Sequence, residues 1–367
     1  MGSQQFKREF VVATSVAGPM HERLKSLLHP IRALISDLDG TLVAGSRPQP
    51  GLLPFLETLT HRGVALTVVT NNTVRTPEQY REKLVAFGAT IGPAQVLTAA
   101  QATAEYLRAE LPAGAALFVV GESGLRAALG DAGFVLLEDS ASPAAAVVVG
   151  GDRTVTHEKL KHAIRHVRAG ARFIGTNPDL LVPIEDGLAP EAGVLLAAVA
   201  AGAEVSPTII GKPARPLLDL AMRRMGSTPA TTAILGDRLD TDILGGQRAG
   251  LTTILVLTGA HDLKAIQAMG IAPDLVVAGL GELAEVWAAL APGLEDLKRL
   301  EAVEHERDSE ILRLARETSR GVIPFAVVAE RFEAAYGEPL GVGKQAAYAE
   351  AEAVNSPNIS SGVNNIA

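Results

Sequence analysis

The feature that most constrains the fold of this chain is a repeated one. A short, continuous apolar run stops at an acidic, amide or glycine residue, and a helical pattern follows. Ala33-Leu34-Ile35-Ser36 ends at Asp37, residues 64–70 end at Asn71 and Asn72, Thr208-Ile209-Ile210 ends at Gly211-Lys212, and residues 232–235 end at Gly236-Asp237. Runs that are apolar at consecutive positions, not alternate ones, read as strands buried on both faces. Further runs of this kind lie at 116–120, 146–149, 172–174 and 253–257, with helical patterns at 52–62, 122–129, 157–169, 216–225 and 243–249. Thr76-Pro77-Glu78-Gln79 opens another helix with the residues of a capping box and a first-turn proline, and Gly88 ends it. Strands alternating with helices predict an α/β fold, a doubly wound parallel sheet with helices on both faces.

The length of 367 residues fits two domains, and 47% hydrophobic with 20% charged residues is the balance of a globular protein. The absence of cysteine excludes disulfides, thiolate metal sites and a thiol nucleophile, and fits a cytoplasmic setting. A net charge of -8 gives no electrostatic footprint for nucleic acid or anionic membrane, so neither is expected as a partner. No apolar run reaches the roughly 18 residues of a membrane helix. The longest candidate, 193–203, reads as a buried helix, and the weakly apolar stretch 10–17 is too interrupted for a signal peptide.

Residues 1–30 read as an N-terminal extension with one short amphipathic helix, 21–29. At the other end, 294–320 is charged with a helical stripe of Leu294, Leu297, Leu300, Ile311 and Leu314, which suits either a helix packed on the core or a dimerisation helix. Residues after 341 have the composition of a disordered tail. His157, His162 and His166 stand near helical spacing, but no carboxylate pattern accompanies them, and they read as solvated helix residues.

Four loops carry the chemistry. Asp37-Leu38-Asp39-Gly40-Thr41-Leu42 offers two carboxylates beyond one strand end: one to attack, one to move a proton, both hard oxygen donors. Thr70-Asn71-Asn72 offers a hydroxyl and two amides for phosphoryl oxygens. Gly211-Lys212-Pro213 offers a cation, and Gly236-Asp237 with Asp240, Thr241 and Asp242 adds carboxylates. Each loop alone is also an ordinary polar turn or helix cap. All four, in this order and each at a strand end, form a coherent site, because ligands of such sheets bind beyond the carboxyl ends of the strands.

In combination these motifs resemble the haloacid dehalogenase (HAD) superfamily. Gly45, Pro48, Gly51, Thr76-Pro77, Tyr80 and Gly175-Thr176-Asn177-Pro178-Asp179 narrow the resemblance to subclass IIA, the nitrophenylphosphatase and phosphoglycolate phosphatase group. The resemblance covers about 31–290. It implies a core of 31–111 and 207–290 with an inserted α/β type-2 cap at 112–206, and leaves 291–367 as a C-terminal extension. It further implies a Mg²⁺-dependent phosphatase for a small phosphorylated metabolite, acting through an aspartyl-phosphate. By analogy Asp37 is the nucleophile and Asp39 the acid and base. Thr70, Asn71, Asn72 and Lys212 bind phosphate, Asp37, Asp39 (through its main-chain carbonyl) and Asp237 hold the metal, and Asp242 supports them. The cap loops at Asp152, Arg153, Thr176, Asn177 and Asp179 are expected to meet the substrate, Arg153 with a substrate carboxylate as its partner or else solvated. Family members often form homodimers. A phosphomutase and a catalytically idle binding protein are the alternatives on this fold. One departure stands out: the family often reads Pro-Gly-x-Gly where this chain has Pro190-Glu191-Ala192-Gly193.

Overall fold

A computed structural model describes residues 11–12, 19–184 and 187–290. The first stretch contains strand β1 (Val11–Val12), helix α1 (Pro19–Leu28), strand β2 (Ala33–Asp37), a small flap of β3 (Val43–Ala44) and β4 (Arg47–Pro48), helix α2 (Leu52–His61), strand β5 (Ala65–Thr70), helix α3 (Pro77–Ala86), strand β6 (Val96–Thr98) and helix α4 (Ala99–Glu110). Thr76 caps α3 with the full reciprocal capping box, and Gly88 follows the helix at φ +89°.

The middle stretch contains β7 (Ala116–Val120), α5 (Ser123–Asp131), β8 (Val135–Leu137), β9 (Ala146–Val149), α6 (His157–Arg168), β10 (Arg172–Gly175), the hairpin β11 (Leu181–Ile184) and β12 (Gly187–Pro190), α7 (Ala192–Ala203) and β13 (Thr208–Ile209). The last contains α8 (Arg215–Met225), β14 (Thr232–Gly236), one π-helical turn (Leu239–Ile243), α9 (Leu244–Ala249), β15 (Thr252–Val256), α10 (Leu263–Met269), β16 (Leu275–Val277) and α11 (Leu280–Ala289).

Two parallel sheets result. The larger runs β1-β16-β15-β14-β2-β5-β6, and the second runs β13-β10-β9-β7-β8. β2 is central: Ile35 faces Ile234 of β14 on one side and Thr67 of β5 on the other, and every residue of β2 is buried. That register brings the ends of β2, β5 and β14, hence Asp37, Thr70 and Asp237, to one edge of the sheet.

One face of the larger sheet is covered by α1, α2 and α11, with Phe55 and Trp287 stacked at 6.3 Å. The apolar cluster on the other face runs without interruption from Ile35 and Val69 through α4 and α8 to Leu117, Val119 and Ile174 of the second sheet. The N-terminal segment is also more integrated than its composition suggests. Leu24 and Leu28 are buried in the α2–α11 cluster, and β1 is the edge strand beside β16. His166, expected in solvent, is buried against Phe118 at 5.2 Å, its Nε2 2.9 Å from the Asp139 carbonyl oxygen. The expected helix at 294–320 lies outside the described residues.

Candidate active site

The strand ends converge on Lys212. Its side chain is buried, and its Nζ lies 2.5 Å from Asp37 Oδ1 and 2.7 Å from Asp242 Oδ1. Carboxylate oxygens of Asp37, Asp237 and Asp242 all lie within 4.8 Å of one another. Asp242 is aimed by the π-helical turn, and its other oxygen accepts the Arg238 N–H at 3.1 Å. Turns of this kind recur at functional sites because they redirect a side chain within a helix start. Asp237 accepts the Ala260 N–H at 2.6 Å and the Thr41 hydroxyl at 3.4 Å.

Two glycines make room for Asp237. Gly40 turns at φ +92°, a conformation that favours glycine, and a β-carbon there would stand 2.2 Å from Asp237 Oδ2. At Gly259 a β-carbon would stand 2.0 Å from the same oxygen. Gln49, from the end of the flap, donates to the Gly40 carbonyl at 3.1 Å, as does the Thr258 hydroxyl at 2.9 Å.

Burial raises Asp37 from 3.8 to about 6; Lys212 opposes this and Asp237 adds to it. Asp242 is likewise raised to about 6 by burial, against the pull of Lys212. Burial alone would lower Lys212, yet Asp242 and Asp37 hold its pKa above the usual lysine range. A buried pocket with more carboxylates than cations, all hard oxygen donors, has the donor chemistry of a divalent cation site.

Asp39 differs from Asp37. Its side chain is half exposed, and Lys83 Nζ approaches it at 3.5 Å. It sits on the rim, not the floor. The Thr70 hydroxyl oxygen accepts the Asn72 N–H at 3.1 Å, which leaves its proton to donate, and Asn72 Oδ1 accepts the Val74 N–H at 2.9 Å. Asn71 is committed elsewhere than to a phosphoryl group. Its Oδ1 accepts the Lys212 N–H and its Nδ2 donates to the Lys212 carbonyl, both at 2.9 Å, and also to Asp179 Oδ2 at 3.0 Å.

The cap-loop residues separate into two groups. Asn177 donates to the Asn71 carbonyl at 2.8 Å and is buried, as is Thr176, so both brace the loop after β5. Asp179 stands at the cleft, bonded to Asn71 and 4.0 Å from Arg238, which itself pairs with Asp240 at 2.7 Å. Asp152 and Arg153 serve the second sheet. Asp152 is buried, paired with Lys159 at 2.8 Å, and Arg153 is gripped by both oxygens of Glu122, at 2.8 and 2.6 Å. Arg153 is therefore neither merely solvated nor open to a substrate carboxylate. Glu191, Gln49 and Ala260 are site-edge residues that motif reading passed over, although the departure at Glu191 marked the first.

Comparison with known proteins agrees with this geometry. Residues 34–135 match a family described as haloacid dehalogenase-like hydrolase, and 209–283 match a HAD-hydrolase-like family. An acid sugar phosphatase of Staphylococcus aureus is 39% identical over 251 residues, 68% of this chain and 96% of that one. A dihydroxyacetone phosphatase of Corynebacterium glutamicum is 38% identical over 253 residues, 69% of this chain and 90% of that one. The crystal structure of a 4-nitrophenylphosphatase from Thermotoga maritima superposes with a TM-score of 0.67 at 33% identity, covering 71% of this chain and 98% of that one.

The chain belongs to the haloacid dehalogenase superfamily, subclass IIA. It is a HAD-type phosphatase, a phosphoric monoester hydrolase. Among the described residues no helix is long and apolar enough to cross a membrane.

Proposed function

We propose that this HAD phosphatase hydrolyses the phosphate monoester of a small metabolite through an aspartyl-phosphate on Asp37, with Mg²⁺ as cofactor. The observation that carries the reading is the buried Asp37–Lys212–Asp242 chain with Asp237 beside it. Lys212 fixes one oxygen of Asp37 and neutralises part of the charge that would repel a phosphate dianion. Asp37 attacks phosphorus as the bond to the leaving oxygen breaks. Asp39, on the rim where a leaving group would lie, gives that oxygen its proton. Asp39 then takes a proton from water as the water oxygen bonds to phosphorus, and the carboxylate of Asp37 is released. Thr70 donates its hydroxyl to a phosphoryl oxygen, while Asn71 holds the Lys212 backbone in place. Asp37, the Asp39 carbonyl and Asp237 would hold the metal, with Asp242 tied back by Lys212 and Arg238. When bound, Mg²⁺ supplies the charge stabilisation that phosphoryl transfer mainly requires.

Residues 112–206 act in this reading as the cap that shields the site from water. The relatives named above act on sugar phosphates and dihydroxyacetone phosphate, which supports a small polar substrate. The test is phosphate release from a panel of phosphorylated metabolites, with Mg²⁺ or with EDTA. Release should require Mg²⁺ and should fall roughly a thousandfold or more in Asp37→Asn. Release that survives this substitution would remove Asp37 as nucleophile.

A further inference from the structure

Glu191 stands immediately before α7, where the β11–β12 hairpin returns to the cleft. Its N–H donates to the Leu180 carbonyl at 2.9 Å, and the Gly193 N–H donates to the Asp179 carbonyl at 2.8 Å, so this segment is fastened to the Asp179 loop. The side chain is only 6% exposed, its Oε1 has no hydrogen-bond partner, and it makes no capping bond into α7. Across from it lies Gly151, where a β-carbon would stand 2.5 Å from Oε1, so the glycine keeps the space that the carboxylate fills. The Gly151 N–H in turn reaches Thr73 Oγ1 at 3.3 Å, on the loop that follows Asn71 and Asn72.

The surroundings of Glu191 are acidic and near the rim. Burial raises it to about 7; the Ala192 N–H opposes this, Asp179 and Glu122 add to it, and Arg153 opposes it. Burial also raises the Tyr80 hydroxyl, and the charges of Asp39 and of Glu191 both add to that shift, so Glu191 faces the same side of the cleft as the proposed acid. The two cations of the neighbouring loop are occupied: Arg153 with Glu122, Lys159 with Asp152. A buried acceptor without a partner lowers stability, and packing does not require it here, since glycine serves well at a helix N-cap.

We infer that Glu191 is a specificity-determining residue for the leaving group: its unpartnered oxygen meets a hydroxyl of a phosphorylated polyol, and esters whose leaving group carries a carboxylate are rejected. Ionised, the group accepts from the hydroxyl; protonated, it can donate or accept. A substrate carboxylate would instead face Glu191, Asp179 and Glu122. The inference rests on the phosphatase reading above.

The test compares wild type, Glu191→Gln and Glu191→Gly on three kinds of ester: glycerol phosphate and sugar phosphates, 2-phosphoglycolate, and p-nitrophenyl phosphate, whose leaving group has neither hydroxyl nor carboxylate. For Glu191→Gly, KM for the hydroxylated esters should rise roughly 10- to 100-fold, while kcat/KM for p-nitrophenyl phosphate stays within about twofold of wild type. Glu191→Gln should gain activity on 2-phosphoglycolate, and neither variant should melt below wild type. Equal losses on all esters, with a lowered Tm, would make Glu191 structural and overturn the inference. So would an unchanged ranking of substrates, or a wild-type preference for 2-phosphoglycolate. A folded wild type that hydrolyses none of the esters would instead sink the phosphatase reading, and this one with it.

Discussion

Lys212 is buried with two carboxylates against its Nζ, and the balance of charge around it determines how the site responds to pH. Breaking such a buried arrangement by removing one partner costs about 3–5 kcal/mol, because the charges left behind remain out of water. Yet one lysine does not neutralise Asp37, Asp242 and Asp237 together. Burial, reinforced by their mutual repulsion, raises both Asp37 and Asp242 from 3.8 to about 6. The folded state therefore binds more protons than the unfolded state between these values. With ∂ΔG/∂pH proportional to the protons bound unfolded minus those bound folded, the slope is negative, and these groups cost stability as pH rises through that window. A divalent cation that binds the ionised carboxylates should reverse the trend. Saturating Mg²⁺, at about a hundredfold excess over Kd, adds about 2.7 kcal/mol. The rise in Tm on adding Mg²⁺ should accordingly be several degrees near neutral pH and much smaller near pH 5, read by scanning fluorimetry. An equal rise at both pH values would mean that Asp37 and Asp242 do not titrate as described.

At the scale of elements, the site is a set of strand ends tied to one another by loop side chains. Asn71, at the end of β5, bonds both backbone groups of Lys212, 141 residues away. Asn71→Ala would leave a buried N–H and a buried carbonyl unpaired, at roughly 1–3 kcal/mol, and would loosen Lys212. The expected result is a lower denaturation midpoint together with a fall in kcat larger than any change in KM. Asn72→Ala, which removes one acceptor from the Val74 N–H, should be milder in stability. Equal effects would refute Asn71 as a strut. The four loops were legible in sequence because each follows an apolar run that can only be a buried strand. The part played by Asn71 was not, since its partner is distant along the chain. Other elements escaped for local reasons. β6 and β16 are three residues each, too short to show a period. α4 buries Ala99, Ala100, Ala102, Thr103, Ala104 and Leu107, which spread around the helix and leave no clear stripe. The β11–β12 hairpin contains Pro183 and Pro190, residues that argue against a strand. The chemistry of Arg153 was open from sequence, and only the fold brings Glu122 to it.

Across the whole molecule, the described segment closes both sheets by Leu290. The curated relatives and the Thermotoga structure are covered to 90–98% by 68–71% of this chain, so about a third of it has no counterpart in them. The last described helix, α11, is not dispensable. Leu280, Leu283, Val286 and Trp287 are buried with α1 and α2 over one face of the larger sheet. Burying each such side chain contributes about 1.5–3 kcal/mol, so together they rival the 5–15 kcal/mol that a folded domain has in total, taken as approximate ranges. The two ends of α11 therefore set a sharp test. A chain ending after residue 290 should fold and keep kcat/KM within about twofold of the full chain, because every residue of the site and both sheets are retained. A chain ending at residue 279 loses α11, uncovers Phe55, Leu24 and Leu28, and should be insoluble or unfolded by circular dichroism. If the chain ending at 290 folds but loses turnover, residues 291–367 contribute to the active site or its closure, and the phosphatase unit extends beyond the two sheets.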